Sequence, residues 1–346
     1  MKPTVTYEEV IKTSENKRIG FVDVRSPSEF QKSTIPGAVN IPVLDDDARK
    51  KVGELYTNGQ IDEAKQFGVS YTSQHLPEMF ASYQKLLTNY DELAIFCSRG
   101  GMRSGTIFSL LKALGLPVSR IRGGYKAYRQ YIVHHLDEQL AKAKFITLYG
   151  FSGSGKTEIL QDLSAQGAKI LDIEGCANHR GSLLGSVGLS EPHSQKMFES
   201  LLFEAGRSWQ NGEVVFVEGE SRRIGKVVMP SSLADAIQQG KKIFINASLD
   251  YRVAQICREY VDKAELAELI DALDNLKKVI NESRVSQLQA QLRAGETEAV
   301  IETLLTAYYD PRYSYRKKNY DYSFTNLNAP DTAKAILKWQ METSGE

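Results

Sequence analysis

The ten residues IFCSRGGMRS, which begin at position 95, place a cysteine where an apolar run gives way to glycines and arginines. Gly100 and Gly101 let the backbone curl, so that its N–H groups can converge on Cys97. Arg99 and Arg103 add positive charge, and a thiol in such surroundings is shifted towards the nucleophilic thiolate. The segment therefore predicts a reactive cysteine in an anion-binding loop, with the two arginines and the two glycines as members of the catalytic site.

A second stretch, GFSGSGKT at residues 150–157, lies between the apolar run FITLY and the helix-like sequence EILQDL. It matches the pattern G-x-x-x-x-G-K-[ST] in the strand–loop–helix context that a phosphate-binding loop requires. Lys156 supplies a point charge for phosphate, and the hydroxyl of Thr157 can hold Mg²⁺. The predicted phosphate-binding residues are Gly150, Ser152, Gly153, Ser154, Gly155, Lys156 and Thr157.

Carboxylates follow the next two apolar runs of the chain. The run AKILDIEG ends with Asp172 and Glu174, and the run EVVFVEGE ends with Glu218 and Glu220. Acidic residues at strand ends near a phosphate loop can support a bound Mg²⁺, as they do in P-loop enzymes. We therefore predict a Mg²⁺ site formed by Thr157 and Glu218.

Positively charged residues cluster in two places, and both are candidates for contact with RNA. One cluster directly follows EVVFVEGE, and the other is interleaved with tyrosines in DPRYSYRKKNYDYSF, residues 310–324. Cations bind phosphates and aromatic rings stack on unpaired bases, which is the chemistry of single-stranded RNA recognition. A tyrosine-rich packing segment explains the second cluster equally well. The candidate RNA contacts are Arg222, Arg223, Arg312, Arg316, Lys317 and Lys318.

Length and composition bound the class of protein. The chain has 346 residues, which favours two domains, and its three cysteines are too few for a disulfide framework, which favours a reducing compartment. The beginning, MKPTVTYEEVIK, lacks the apolar core of a signal peptide, and no long apolar run follows, so we expect a cytoplasmic protein with no membrane partner. The formal net charge of +0 argues against a uniformly basic nucleic-acid binder and leaves a local basic face open.

The elements that must position these residues alternate between strands and helices. Apolar runs at 19–24 and 93–97 predict strands, and residues 104–114 predict a helix, a pattern typical of parallel α/β sheets with reactive groups at the carboxyl ends of strands. The predicted fold is α/β: an N-terminal parallel-sheet domain, then a P-loop NTPase-like α/β domain with an α-helical C-terminal addition. The predicted boundaries are residues 1–130, a connecting helix at 131–143, the P-loop domain at 144–260, and a helical region with the basic, tyrosine-rich segment at 261–346.

Several motifs of the first half occur in the order found in the rhodanese (sulfurtransferase) domain, which residues 5–130 resemble. The resemblance implies that Cys97 carries a transferable chalcogen, as a persulfide or its selenium analogue. One spacing differs, because Arg103 follows Cys97 by six positions where many sulfurtransferases have five. A wider ring of N–H groups suits a larger anion, and the cysteine-dependent phosphatases of this fold use such a length. The motifs are Asp23-Val24-Arg25 with Glu29-Phe30, Ile35-Pro36-Gly37-Ala38 with Asn40-Ile41-Pro42, the Cys97 loop, and Gly123-Gly124-Tyr125.

Nearly the whole chain resembles the bacterial tRNA 2-selenouridine synthase family, in which a rhodanese-like domain precedes a P-loop domain. The motifs that carry this resemblance are CSRGGMRS, GGYKAYR, GFSGSGKT, DIEGCANHRGSLLG and EGESRRIG. It implies that 2-thiouridine at the wobble position of tRNAs for Lys, Glu and Gln is first S-alkylated by geranyl diphosphate. Selenium from selenophosphate then displaces the geranylthio group.

The same resemblance implies where the substrates and partners bind. The P-loop would hold the diphosphate together with Mg²⁺, and the Cys97 loop would bind selenophosphate. The expected partner is the anticodon arm of tRNA, and an enzyme that supplies selenophosphate is a further candidate partner.

Two other classes of function remain open on the sequence alone. A P-loop kinase or NTPase with a regulatory rhodanese domain predicts ATP turnover that does not depend on Cys97. A module that only scaffolds tRNA or a sulfur carrier predicts no product at all. The reactive residues retained in both loops argue against the second class.

Overall fold

The computed structural model describes residues 4–180, 185, 187–261, 265–278, 280–314 and 319–343 of the chain. The chain divides into two compact units, one comprising Met1–His135 with Glu199–Leu201 and the other Leu136–Phe198 with Leu202–Glu346. Each unit contains a five-stranded sheet in which all described strand pairs are parallel. The α/β fold class predicted from the sequence is thereby confirmed.

The sheet of the first unit has the strand order β1-β5-β4-β2-β3. Its central strand β4 has the sequence ELAIF and is buried at all five positions, as expected for a strand covered on both faces. Asp23 pairs in register with Phe96, so β2 and β4 end side by side at one edge of the sheet. The strands are β1 (Thr4–Val5), β2 (Ile19–Asp23), β3 (Val39–Asn40), β4 (Glu92–Phe96) and β5 (Val118–Ile121).

Among the described residues, six helices follow these strands in the chain, the last of which continues into the second unit, and their beginnings follow from local sequence. Thr6 and Ser26 each form a capping box with a glutamate three residues later, and Pro27 opens the second helix, where a missing N–H costs nothing. The helices are α1 (Tyr7–Ser14), α2 (Pro27–Lys32), α3 (Asp46–Thr57), α4 (Ile61–Leu86), α5 (Met102–Ala113) and α6 (Gly124–Leu140).

The sheet of the second unit has the order β12-β11-β6-β8-β7, with the glycine-rich loop at the end of its central strand. A short antiparallel hairpin of β9 and β10 lies outside the sheet. The strands are β6 (Ala143–Tyr149), β7 (Lys169–Leu171), β8 (Glu213–Glu218), β9 (Arg223–Ile224), β10 (Val227–Val228), β11 (Lys241–Asn246) and β12 (Tyr322–Thr325).

The helices of the second unit fall into two groups, those beside the sheet and those of the segment between β11 and β12. They are α7 (Lys156–Ala165), α8 (Ile173–Ala177), α9 (Gln195–Gly206), α10 (Ser231–Gln239), α11 (Leu249–Ile256), α12 (Leu266–Asp274), α13 (Glu282–Arg293), α14 (Thr297–Leu304), α15 (Asp310–Ser314) and α16 (Ala329–Thr343), with π-helical turns at Cys257–Val261 and Leu305–Tyr309 and a 3₁₀ turn at Asn275–Lys278. Helices α12 to α14 share their own apolar core, which includes Leu273, Leu288 and Leu304.

Three boundaries differ from those that the sequence predicts. The strand predicted at 168–175 ends at Leu171, because Asp172 accepts a hydrogen bond from the Gly175 N–H and caps the short helix α8. The connecting helix predicted at 131–143 belongs to α6, which starts at Gly124 and ends at Leu140.

The third difference concerns the end of the chain. Residues beyond 321 return to the sheet, where β12 pairs in parallel with β11 and α16 contributes Ile336 and Trp339 to the same core. The helical region is therefore an insertion in the P-loop unit, and the last strand and helix complete that unit. Among the described residues, no helix is both long enough and apolar enough to cross a membrane.

Candidate active sites

Cys97 lies directly after β4, at the carboxyl edge of the first sheet and before α5. Its side chain is buried, and its Sγ lies 3.1 Å from the hydroxyl oxygen of Ser104, which has no solvent exposure. Burial raises the pKa of the Cys97 thiol, and hydrogen bonds from the Ser104 hydroxyl and N–H oppose it. The backbone N–H of Arg99 and the positive charge of Arg103 add to that opposition, so the pKa of the thiol falls below its ordinary value.

The loop around Cys97 is supported by a second loop that follows β5. The N–H groups of Tyr125 and Lys126 donate to the carbonyl oxygens of Cys97 and Ser98 at 2.8 and 2.9 Å. Gly124 has a φ of 59°, and a Cβ there would collide with the carbonyl oxygen of Cys97. The glycine pair before Tyr125 is thus required because two backbones approach each other closely at this point.

Asp23 and Arg25 form a buried ion pair under the same loops. The Nη2 of Arg25 donates to Asp23 at 2.6 Å and to the carbonyl oxygen of Ser33 at 2.7 Å. The guanidinium group also covers the ring of Tyr125 at 4.2 Å. These two residues of the rhodanese signature therefore support the second loop, and their contacts do not reach the thiol.

The two loop arginines act differently. The guanidinium group of Arg103 is paired with Glu29 at 2.5 Å, and Arg49 approaches the same carboxylate at 3.8 Å. The side chain of Arg99 is exposed, so this residue acts on the thiol through its backbone N–H. Neither the role of Ser104 nor the Arg103–Glu29 pair was predicted from the sequence, although the hydroxyl directly after the loop arginine was a signal for the former.

The second site is the glycine-rich loop between β6 and α7. Gly153 and Gly155 have φ values of 76° and 81°, a conformation that glycine adopts without strain. The Nζ of Lys156 donates to the carbonyl oxygens of Gly150 and Phe151 at 3.2 and 3.4 Å, so the ammonium group lies over the loop. The loop thus has the shape and the charge to bind phosphate oxygens.

Three carboxylates meet beside this loop. Glu174 from α8 joins Glu218 from the end of β8 and Glu220, and one oxygen of each lies within 4.8 Å of the others. Burial and the neighbouring negative charges raise the pKa of both Glu174 and Glu218, while Lys156 opposes this. Glu218 also accepts a hydrogen bond from the Thr157 side chain.

This group of oxygens fits a divalent cation. Glu218 is buried, and its Oε1 has no hydrogen-bond partner within the described part of the chain. Oxygen ligands from carboxylates and a hydroxyl are those that Mg²⁺ prefers. The predicted metal ligands Thr157 and Glu218 are brought together, and Glu174 and Glu220 join them.

A cavity of about 1080 Å³, counted to its open mouth, extends from the phosphate loop into the inserted helices. One end is polar and is formed by residues 152–157, the three glutamates and Arg180. The other end is formed by α11 to α14 and the two π-helical turns, and it combines the polar side chains of Glu259 and Thr297 with nine apolar ones. The apolar ones are Ile256, Leu269, Leu273, Leu292, Val300, Ile301, Leu304, Leu305 and Tyr309.

Two side chains hold the phosphate loop from outside. Arg252 is buried, donates from Nε to the carbonyl oxygen of Ser152 at 2.8 Å, and pairs with both oxygens of Asp310. Asn326, which follows β12, donates to the carbonyl oxygen of Ser154 at 2.9 Å. The loop is therefore tied both to the helical insertion and to the returning end of the chain.

Three of the six predicted RNA contacts lie among the described residues of the second unit. Arg222 and Arg223 are exposed at the β9–β10 hairpin. Arg312 is exposed, and its guanidinium group stacks on Tyr308 at 3.5 Å. Arg316, Lys317 and Lys318 lie outside the described residues. The described tyrosines of this region include packed ones, since Tyr320 contacts the ring of Phe244.

The other two cysteines have different surroundings. Cys176 is half-buried in α8, and burial raises its pKa to about 12. Cys257 is half-buried in the first π-helical turn. The pKa of the Cys97 thiol is lowered and that of Cys176 is raised, so the two differ in reactivity.

Comparison with known proteins matches both halves of the chain. Residues 143–344 match the model of the tRNA 2-selenouridine synthase AAA domain, and residues 6–131 match that of the rhodanese-like domain. A protein named tRNA 2-selenouridine synthase from Cupriavidus necator is 30% identical over 329 residues, which cover 87% of this chain and 89% of that relative. One of the same name from Hydrogenovibrio crunogenus is 32% identical over 354 aligned positions, which cover 94% of this chain and 96% of the relative.

Among solved structures, shikimate kinase from Acinetobacter baumannii in complex with shikimate is 16% identical and covers 60% of this chain and 98% of its own. Its TM-score is 0.28.

Proposed function

This chain belongs to the tRNA 2-selenouridine synthase family, and from that premise we propose that it converts wobble 2-thiouridine of tRNA to 2-selenouridine in two steps. In the first step, geranyl diphosphate alkylates the thiocarbonyl sulfur of the nucleoside. In the second, selenium from selenophosphate replaces the geranylthio group. A thiocarbonyl is a poor leaving group, and alkylation turns it into a thiol that can depart.

The cavity of the second unit is the observation that carries this proposal. A phosphate loop at one end and nine apolar side chains at the other match the two ends of geranyl diphosphate. Lys156 and the loop N–H groups would bind the diphosphate and stabilise the negative charge that develops as it leaves. The apolar walls would hold the ten-carbon chain and exclude water from the allylic carbon that the sulfur attacks.

Thr157 and the three glutamates would hold Mg²⁺ at the polar end of this cavity. When bound, the ion supplies positive charge that neutralises diphosphate oxygens. Glu174 and Glu218 would then be ionised, because a cation removes the repulsion that raises their pKa values.

The apolar walls also bear on the kinase or NTPase alternative. A nucleoside would require polar partners for its base and ribose beyond the phosphate loop. Among the inserted helices the lining has two polar side chains, Glu259 and Thr297, against nine apolar ones, which include Leu273, Leu292 and Val300 of the helical core. An isoprenoid chain is the better match to that surface.

For the second step, the Cys97 loop would bind selenophosphate. Its N–H groups and Arg103 suit an oxyanion, and the low pKa of the thiol makes Cys97 the reactive group of this site.

We further propose the anticodon arms of tRNAs for Lys, Glu and Gln as partners, the cytoplasm as the compartment, and a selenophosphate-producing enzyme as a source of substrate.

Mass spectrometry of wobble nucleosides tests this function. Thiolated tRNA, geranyl diphosphate and selenophosphate should give S-geranyl-2-thiouridine and then 2-selenouridine without ATP. We expect Cys97→Ala to stop selenation and to spare geranylation, because the two loops belong to different units. Lys156→Ala should stop geranylation, and pre-geranylated tRNA should restore selenation. ATP turnover without either nucleoside product would support a kinase or NTPase instead.

A further inference from the structure

The six-residue spacing from Cys97 to Arg103 lengthens the ring of N–H groups by one position, which suits a tetrahedral phosphoryl group. Gly100 has a φ of 65°, and the loop rests on the backbone N–H groups of Gly123 and Gly124, which a Cβ at Gly100 would meet at 3.0 and 3.2 Å. Backbone donors around a thiol, with a guanidinium group at the rim, bind three oxygens and present the sulfur to the central atom. In selenophosphate and its adducts, that central atom is phosphorus.

We propose that Cys97 accepts the phosphoryl group of selenophosphate, through a phosphocysteine, and that selenium is never bonded to the enzyme. This inference rests on the proposed function, since it concerns how the selenium donor is consumed in the second step. It assigns to the Cys97 loop a phosphoryl-transfer activity in addition to oxyanion binding.

The electron balance separates this route from transfer of selenium to the thiol. If the thiolate attacked selenium, the S–Se bond would form while phosphorus left with the electron pair as phosphite. After the perselenide had attacked the nucleoside, the S–Se bond would have to be reduced by two electrons to free the product. That route therefore consumes a two-electron reductant, such as a pair of thiols, in every turnover.

The phosphoryl route needs no redox change. Selenium of selenophosphate attacks C2 of the S-geranyl nucleoside, the C–S bond breaks, and geranylthiol leaves with the proton of the selenol. The nucleoside then carries a C2–Se–PO₃ group. The Cys97 thiolate attacks phosphorus, the P–Se bond breaks, and the 2-selenouridine anion leaves with the electron pair and takes a proton. Water finally attacks phosphorus, the S–P bond breaks, and phosphate and the thiolate are released.

Ser104 would assist the last step, in which water hydrolyses the phosphocysteine. Its hydroxyl lies 3.1 Å from the Sγ of Cys97 and can donate to the thiolate that leaves when phosphocysteine is hydrolysed. Arg103 is paired with Glu29 and its positive charge acts on the Cys97 thiol, so it would also stabilise negatively charged phosphoryl oxygens there. Loss of the Ser104 hydroxyl should therefore slow the breakdown of phosphocysteine more than its formation.

The test uses the full-length protein, pre-geranylated tRNA and selenophosphate labelled at phosphorus with ³²P. Ser104→Ala, quenched after mixing, should retain close to one labelled phosphoryl group per chain, located by peptide mapping at Cys97. We expect phosphocysteine breakdown to slow roughly tenfold or more, the effect of losing a hydrogen bond to a charged group. Cys97→Ser should retain no label on cysteine, and the wild type should release phosphate coupled to 2-selenouridine.

Two controls keep the test decisive. Ser119→Ala removes another buried serine of the same unit and should not accumulate label. Rapid quenching of the wild type detects the intermediate without any substitution, so a misfolded variant cannot conceal the answer. If 2-selenouridine forms while wild type and Ser104→Ala both lack labelled cysteine, or if phosphite is the product, the phosphoryl route is wrong and the proposed function stands. If no 2-selenouridine forms from any tRNA, the proposed function itself fails.

Discussion

At the scale of single residues, the reactivity of Cys97 depends on groups within one loop. Burial alone would make this thiol inert, and its pKa falls only because Ser104, the Arg99 N–H and Arg103 together outweigh burial. Cys176 shows the other outcome, since burial near Asp172 raises its pKa to about 12. The contrast between the two thiols lies in the hydrogen-bond donors that surround them.

We predict that Cys97 ionises below 9.0, its ordinary value, and that Ser104→Ala raises its pKa because a donor to the thiolate is lost. The ultraviolet absorbance of the thiolate, measured against pH as the difference between the protein and its Cys97→Ala variant, reports this titration. Since the lowered pKa keeps the thiolate at lower pH, the selenation rate should decline only as pH falls through that pKa. Cys176→Ala serves as the control and should leave the curve unchanged. An ordinary midpoint for Cys97 would contradict the prediction.

The buried carboxylate of Glu218 leads to a second prediction. The pKa of Glu218 is raised on folding, so above the pKa of the unfolded chain the folded protein still binds a proton that the unfolded chain has lost. The free energy of unfolding therefore falls as the pH rises above the unfolded-chain pKa. In EDTA at neutral pH, Glu218→Gln should therefore be more stable than the wild type, by about 1–3 kcal/mol.

Addition of Mg²⁺ should reverse that order, because the ion then binds the wild-type carboxylates and stabilises only the form that carries them. Thermal unfolding in EDTA and in Mg²⁺ measures both effects. Glu298→Gln, an exposed position on α14, is the control. Equal Mg²⁺ stabilisation of the wild type and Glu218→Gln would exclude the metal site.

At the scale of elements, the inserted helices turn a phosphate loop into a site for an amphipathic substrate. Helices α12 to α14 have their own apolar core, and some of its members also line the cavity. Arg252 joins this insertion to the phosphate loop, because it contacts the Ser152 carbonyl oxygen and Asp310 at once. The insertion and the loop are thus connected through an ion pair between the buried Arg252 and the half-buried Asp310.

Leu269 tests the apolar end of the cavity, because it lines the wall and is only half-buried. In Leu269→Trp the indole ring should occupy space that the geranyl chain needs, so that about two or three of its carbons are no longer buried. The loss of this apolar burial should raise KM for geranyl diphosphate about tenfold or more. Binding of inorganic diphosphate should hardly change. Steady-state kinetics and calorimetry measure the two quantities.

Leu266→Trp is the matched control, since Leu266 lies one turn earlier on α12 and is exposed. This variant should behave as the wild type. If Leu269→Trp weakened geranyl diphosphate and inorganic diphosphate equally, the apolar wall would not be where the chain binds.

At the scale of the whole molecule, a formal net charge of +0 means that tRNA must be held by local clusters of cations. Replacing Arg316, Lys317 and Lys318 with alanine should flatten the slope of log affinity against log salt by about 2 units, if all three bind phosphates. A triple variant of Lys12, Lys334 and Lys338, which are exposed and paired with carboxylates, removes the same charge and should change the slope less. Binding titrations across salt concentrations decide the point. Equal slopes for the two triple variants would indicate that the tyrosine-rich segment serves packing alone.

Much of this molecule could be predicted from the sequence, because both reactive loops are local. The glycines and cations that make the Cys97 loop and residues 150–157 recognisable lie within ten positions of each other, and strand–loop–helix patterns placed both loops at the carboxyl ends of strands. Only the tertiary structure showed which residues that are far apart in the sequence are neighbours in the fold. Glu174 joins Glu218 and Glu220 only because β7 and β8 are neighbours in the sheet, and the apolar cavity exists only because α12 to α14 pack beside the phosphate loop. The pairing of β12 with β11 could not be predicted from the sequence either, because the two strands are about 80 residues apart in the chain. Hydrophobic periodicity within a short window identifies a strand but carries no information about its distant partner.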